Sequence, residues 1–199
     1  MSVAPKRRLT PQEYLAIERK AEFRSEFFNG EMFAMAGARE PHNRVKENLA
    51  GEIYHRLKGS QCRSYSSDMR VKVSATGLYT YPDIVIVCGK GEFEDEHVDT
   101  LLNPQVIIEV LSESTANYDR GKKLRRYKQI ASLQEYALVA QDEPAIHRYI
   151  RKPNGEWTQD SVEGVEQEFG FATLPVKVPL KDIYAGVSFP KEADPQSSK

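Results

Sequence analysis

A chain of 199 residues, 40% apolar and 29% charged, is long enough for one ordinary domain with a real core and too hydrophobic for a disordered segment. Its 28 Lys and Arg nearly balance 29 Asp and Glu, for a net charge of -1, so any polyanion site has to be a local basic patch rather than an overall field. The two cysteines, Cys62 and Cys88, stand in no Cys-x-x-Cys spacing, which argues against a disulfide scaffold or a structural zinc site and fits a reducing compartment, the cytoplasm.

The basic start Met1 to Leu9 lacks the apolar stretch of about 7 to 15 residues that marks a signal peptide. No run approaches the ~18 apolar residues of a membrane span, so a protein neither exported nor membrane-spanning is expected. Thr10-Pro11-Gln12-Glu13 reads as a helix start, with a threonine N-cap, a proline in the first turn and a glutamate that reaches back, for a short helix to about Lys20. Ser25 to Phe28 and Glu31 to Met35 flank Asn29-Gly30, a strong signal for a tight hairpin. From Pro41 to Leu57, Val45, Leu49, Ile53 and Leu57 recur every four residues and form the apolar stripe of a long helix.

Arg63 to Val73, Asp83 to Cys88 and Val106 to Leu111 read as strands, the last two as continuous apolar runs buried on both faces. Asp119 to Ala131 reads as a helix, and Tyr136 to Ala140 and Ile146 to Arg151 as strands, with Asn154-Gly155 turning into Trp157 and Thr158. Glu92 to Asp99 reads as a solvated acidic loop and 191–199 as a disordered tail. No repeat or linker divides the chain, so residues 1–190 are expected to form a single α/β (α+β) domain, a mixed sheet flanked by helices.

Two carboxylates interrupt the buried strands. Asp83 follows Pro82 where the chain enters a strand, and Glu109 shares a strand face with Ile107 and Leu111. An unpaired charge there costs several kcal/mol, and two carboxylates about 4 Å apart would repel by about 4 kcal/mol at an effective dielectric of 20. A hard divalent cation would relieve both, since magnesium takes oxygen ligands and keeps several waters when held by one or two carboxylates. Lys123 then leans inward with Tyr127 from a segment rich in bases, which also carries Arg120, Lys122 and Arg126 to face solvent or a backbone phosphate. The bland alternative makes Asp83 a strand-start hydrogen-bonding residue, Glu109 the buried partner of an arginine, and the basic segment a solvated face.

Read in order, Glu-Phe-Phe-Asn-Gly-Glu-Met-Phe-Ala-Met-Ala-Gly, Pro-His-Asn, Ser-Asp-Met-Arg-Val-Lys-Val, Tyr-Pro-Asp-Ile-Val-Ile-Val, Val-Ile-Ile-Glu-Val-Leu-Ser-Glu-Ser-Thr and Tyr-Asp-Arg-Gly-Lys-Lys-Leu-Arg-Arg-Tyr resemble a restriction-endonuclease family of bacterial proteins within the PD-(D/E)XK nuclease superfamily. The resemblance runs from about Thr10 to Val187. It implies a restriction-endonuclease-like core with an added N-terminal helix and hairpin, and metal-dependent DNA endonuclease activity with Mg2+ or Mn2+. It matches Asp83 to the motif aspartate, Glu109 to the acidic position and the carbonyl of Val110 to a metal contact.

The position two residues after Glu109 holds Leu111, so the motif lysine looks displaced to Lys123, with Lys122 its rival. Glu26 and His42 are candidates for lining the cleft, and Glu47 and Glu52 on the long helix for a further acid. His55, His97 and His147 show no ligand spacing, and no phosphate-binding loop or Gly-x-Ser-x-Gly is present. DNA, or another nucleic acid, is the expected partner. The resemblance, with Phe27, Phe28 and Phe33 as hairpin aromatics open to contact, implies a homodimer. The competing class keeps the nuclease fold as a DNA- or partner-binding module without chemistry.

Overall fold

In a computed structural model, residues 7–113 and 115–189 are described. Helix α1 (Pro11–Glu18) starts at the predicted capping box: the Glu13 N–H donates to Thr10 Oγ1 at 3.2 Å, and the Thr10 N–H donates to Glu13 Oε2 at 2.8 Å. Strands β1 (Ser25–Phe28) and β2 (Glu31–Ala34) pair antiparallel around Asn29 and Gly30, whose φ angles of 52° and 81° are those of a type I′ turn. A Cβ on Gly30 would lie 2.6 Å from Arg8 Cβ in addition to needing the left-handed region. Gly30→Ala is therefore expected to lower stability by about 1–2 kcal/mol, read as a shift of the denaturant midpoint.

Helix α2 (Glu40–Leu57) follows, then β3 (Cys62–Ser66), β4 (Arg70–Val73), β5 (Leu78–Thr80), β6 (Ile84–Cys88), β7 (Thr100–Leu101) and β8 (Val106–Leu111). A helical segment comes next: α3 (Ala116–Tyr118), a π-helical turn at Asp119–Lys123, and α4 (Leu124–Tyr127). The chain closes with β9 (Glu135–Ala140), β10 (Ala145–Arg151), β11 (Trp157–Glu163), β12 (Glu168–Gly170), β13 (Lys177–Pro179) and α5 (Leu180–Ile183). The strands form a six-stranded mixed sheet in the order β11-β10-β9-β8-β6-β3, a five-stranded sheet β2-β1-β5-β4-β7, and the pair β12-β13.

Strands β6, β8 and β9 are buried on both faces, as their continuous apolar runs require. On one side Ile84, Ile86 and Ile108 meet the α2 stripe of Val45, Leu49, Ile53 and Leu57. On the other, Val85, Val87 and Ile107 meet Val71 and Leu78 of the second sheet together with Leu124 and Tyr127. Glu109, bonded to Tyr127, lies at the edge of this second core.

Several expectations are corrected. The strand read as Arg63 to Val73 is two strands in different sheets, because Ser67 takes φ 45° and donates its N–H to the Asp83 carbonyl at 2.9 Å. The helix expected to reach Ala131 ends at Tyr127. The acidic loop is not merely solvated: Asp99 pairs with Arg19 and with Arg70, each at 2.8 Å, and Glu94 accepts from Tyr79 Oη at 2.8 Å. The Arg19 hydrogen bond holds the Asp99 carboxyl well below the usual carboxylate range.

Cys62 and Cys88, directly opposite on β3 and β6, are joined in one disulfide where no disulfide was expected. Phe27 is buried against Tyr14 and Tyr79, and Phe28 lies under Arg126, so of the three hairpin phenylalanines only Phe33 is exposed. The predicted tail, 191–199, lies outside the described residues. Among the described residues no helix is long and apolar enough to cross a membrane.

Candidate active site at the meeting of the two sheets

The antiparallel register of β6 and β8 sets Ile84 opposite Ile108, and one further step sets Asp83 opposite Glu109. Directly opposite residues project from the same face, so the two acids, far apart in the chain, become neighbours at the strand end. The Asp83 N–H points at Glu109 Oε2 at 3.4 Å. Asp83 Oδ2 accepts the Val110 N–H at 2.8 Å and lies 3.2 Å from His42 Nε2, which the first turn of α2 delivers to it.

Glu109 is 4% exposed. Its Oε1 accepts Tyr127 Oη at 2.8 Å and pairs with Lys123 Nζ at 2.9 Å. The same ammonium lies 3.4 Å from Asp119 and 3.5 Å from Glu26, so one lysine serves three carboxylates. Burial, with Asp119 and Asp83 adding repulsion and Lys123 only partly offsetting them, pushes the Glu109 carboxyl up to about 8. Burial and the Asp83 charge push Asp119 up as well. Burial works against the charge on Lys123, but Glu109, Glu26 and Asp119 outweigh it and hold the ammonium well above its ordinary value.

The local backbone explains why Lys123 and not Lys122 reaches in. The Leu124 N–H bonds back to the Asp119 carbonyl, five residues earlier, widening the turn that carries both Asp119 and Lys123 inward. Lys122, about 100° round the helix, is exposed, as is Arg120. Arg126 is half-buried, donating to Tyr118 Oη at 3.0 Å and lying 3.6 Å over the Phe28 ring.

A second buried acid shows what a purely structural carboxylate looks like here. Glu135 takes the N–H groups of Ala172 and Thr173, the Thr173 hydroxyl and Arg148, so both oxygens are saturated by the loop it clasps. At the Asp83–Glu109 pair, by contrast, Asp83 Oδ1 has no hydrogen bond among the described residues, and Glu109 Oε2 has only the long one. No three His, Cys, Asp or Glu side chains among the described residues are grouped to cage a metal ion. Two carboxylates with two underused oxygens instead suit a hard, hydrated cation such as Mg2+ or Mn2+, which takes most of its shell from water and phosphate.

Residues 11–179 match the Uma2 family, described as "Putative restriction endonuclease". The chain belongs to the Uma2 family. Two curated proteins of Synechocystis sp. (strain PCC 6803 / Kazusa) are similar to it along nearly their whole length. Uncharacterized protein sll1609 is 35% identical over 176 residues, 88% of this chain and 99% of its own. Uncharacterized protein slr1290 is 30% identical over 186 residues, 94% of this chain and 96% of its own. The crystal structure titled "a putative nuclease belonging to DUF820", from Anabaena variabilis ATCC 29413, superposes with a TM-score of 0.71 at 18% identity, covering 88% of this chain and 97% of that one. The fold of this Uma2 protein is thus restriction-endonuclease-like, a mixed sheet flanked by helices.

Within that Uma2 fold, Asp83, Glu109, Lys123, Glu26 and His42 come together, and Val110 touches Asp83 through its amide. The bland alternative is half realised: Glu109 is a buried ion-pair member, but of a lysine rather than an arginine. Glu47 is exposed and Glu52 pairs with Arg56 on their own helix, so neither joins the site. Residue-level reading missed Asp119, Tyr127 and Thr80 as site members. Asp119 stands four residues before Lys123 and Tyr127 four after it, a spacing that marks one helical face, whereas Thr80, 3.4 Å from Tyr127 Oη, sits on a strand too short to have been foreseen.

Proposed function

We propose that this Uma2 protein is a divalent-cation-dependent DNA endonuclease of PD-(D/E)XK type, hydrolysing phosphodiester bonds. The supporting observation is the opposition of Asp83 and Glu109 across β6 and β8 with the Lys123 ammonium 2.9 Å from Glu109. Asp83 and Glu109, with the Val110 carbonyl as a further oxygen, are the residues that would hold Mg2+ or Mn2+. When bound, such a cation polarises the phosphate and lowers the pKa of water.

The chain's own side chains do the rest. His42 and the Val110 amide fix one oxygen of Asp83 and leave the other without a hydrogen bond among the described residues. Tyr127 fixes Glu109 in the same way. Lys123 keeps its proton, so its task is to donate to the phosphate and offset charge in the transition state, not to act as a base. Exposed Arg120 and Lys122 and half-buried Arg126 stand beside the cluster as contacts for the DNA backbone.

A second reading, a nuclease-fold binding module without chemistry, draws on one observation: Lys123 already satisfies part of the acid cluster and so competes with any added cation. Manganese uptake measured by calorimetry separates the two, because the module needs none. For the nuclease reading, supercoiled plasmid is expected to be cut with Mg2+ and spared with chelator. Asp83→Asn should slow cleavage at least about a hundredfold, corresponding to about 3 kcal/mol of barrier. Cutting that survives both Asp83→Asn and Glu109→Gln would overturn the assignment.

A further inference from the structure

From Phe33 to Ala38 the chain reads Phe-Ala-Met-Ala-Gly-Ala, and every one of these residues is exposed. Among the described residues no other exposed run of this length lacks a polar side chain. Consecutive exposed apolar residues are unfavourable in a soluble protein unless something uses them. Scattered surface apolar residues need no explanation, but this run is continuous and its location is specific.

Both ends are tied to the acid cluster. At the start, Phe33 is the direct cross-strand partner of Glu26, whose carboxylate pairs with Lys123. Opposed residues on an antiparallel pair share a face about 5 Å apart, so Phe33 projects on the side of β1 and β2 that carries Glu26. Strand alternation puts Met35, two residues on, on that same side, and they are 48% and 38% exposed. At the far end, α2 begins and His42 reaches Asp83 at 3.2 Å. The run is a strap along one edge of the cluster.

Charge indicates what it meets. The strap carries no carboxylate, and exposed Arg39 follows directly after Ala38, whereas Arg24, opposite Met35, is already paired with Asp68. An exposed cation at one end and bare apolar side chains beside it are complementary to a polyanion with flat apolar faces inside. We infer that the strap is a DNA contact: Phe33 and Met35 pack against an unstacked base beside the phosphate at the acid cluster, and Arg39 takes a flanking phosphate. Apolar wedges next to arginines are used in this way at kinked steps and single strands. The inference rests on the nuclease reading and narrows its substrate to DNA that opens readily, at ends, flexible steps or single-stranded segments.

The test uses the full chain with chelator, so that no cutting occurs, and a DNA duplex carrying 2-aminopurine at a flexible step. Wild type is expected to bind and raise the 2-aminopurine fluorescence. The double variant Phe33→Ala/Met35→Ala should bind about tenfold or more weakly without that rise, with an unchanged thermal transition. Phe33→Trp, which keeps a stacking face, should retain both. Wild-type binding and fluorescence in the alanine variant overturn the strap alone. A change of sedimentation from dimer to monomer in that variant also overturns it, by assigning the strap to a second copy. Failure of the wild type to bind any DNA removes the nuclease reading itself, and the strap's role with it.

Discussion

Lys123→Met is expected to cost about 3–5 kcal/mol of stability at neutral pH and to abolish cleavage, because it strips the one ammonium from three buried or half-buried carboxylates. Asp119 at 3.4 Å and Glu26 at 3.5 Å would be left to repel one another in a low-dielectric setting, and Glu109 at 2.9 Å, whose carboxyl burial already raises to about 8, would lose its ammonium partner and be held in the protonated form. The sign with pH follows from the partners. Lys123 has a raised folded pKa, so its contribution is complete at neutral pH and is lost only as pH rises through that folded value. The acids can escape the penalty by taking protons, so the loss in Lys123→Met should shrink at pH 5. Lys123→Arg keeps the charge and should recover part of the stability but little cleavage, since a planar guanidinium does not replace a compact ammonium in a site this closed. Denaturant unfolding at the two pH values decides it, and a Lys123→Met midpoint equal to wild type at pH 7 would mean that the ammonium does not hold the cluster together.

What could be read from the residues was what local chemistry determines. The capping box at Thr10, the Asn29-Gly30 turn, the four-residue stripe of α2 and the two greasy strands β6 and β8 each depend on neighbours within about one helical turn or one hairpin. The acid pair was legible for a related reason: a carboxylate inside an apolar strand is conspicuous whatever the tertiary fold. Pairing across long separations was not. Ser67 looks like any strand residue until its amide is claimed by the Asp83 carbonyl, and that bond sends β3 and β4 to different sheets. Strands as short as β5 and β7 owe their existence to partners rather than propensity, which is why Thr80 went unseen.

The choice between Lys122 and Lys123 shows the same limit at finer scale. Both share composition and neighbourhood, and the answer depends on how far the helix has turned at that point. A π-helical turn changes that rotation by adding a residue to one turn, and nothing in Asp-Arg-Gly-Lys-Lys announces it. The two cleft candidates, Glu26 and His42, reach the acids from β1, which pairs with the start of the exposed strap, and from α2, which follows its end. The 17 residues from Glu26 to His42 thus link a carboxylate, an apolar edge and an imidazole, which is why the motif residues there read as a block rather than as isolated positions.

Glu109→Gln should raise the stability of the chelator-treated protein at pH 8 while eliminating cation uptake, two effects of opposite apparent value from one atom change. The amide oxygen can keep the Tyr127 and Lys123 contacts of Oε1, while its NH2, in the place of Oε2, gives up only the long 3.4 Å bond accepted from the Asp83 N–H. In wild type, burial raises the Glu109 carboxyl from its ordinary 4.5 to about 8, so the folded state binds the proton more tightly than the unfolded chain. A group shifted upward gives its full stabilisation below the unfolded value and loses it as pH climbs through the folded one, so metal-free wild type should weaken between about pH 5 and pH 8. One pKa unit is worth about 1.4 kcal/mol, so a shift even half realised makes the decline about 2 kcal/mol, and Glu109→Gln should flatten it. A divalent cation favours the ionised carboxylate, so in wild type its uptake near pH 7 should release a proton, seen as a dependence of the calorimetric heat on buffer ionisation enthalpy. Equal pH slopes for wild type and Glu109→Gln would show that Glu109 enters the folded protein already ionised, and the proton release would then vanish with the slope.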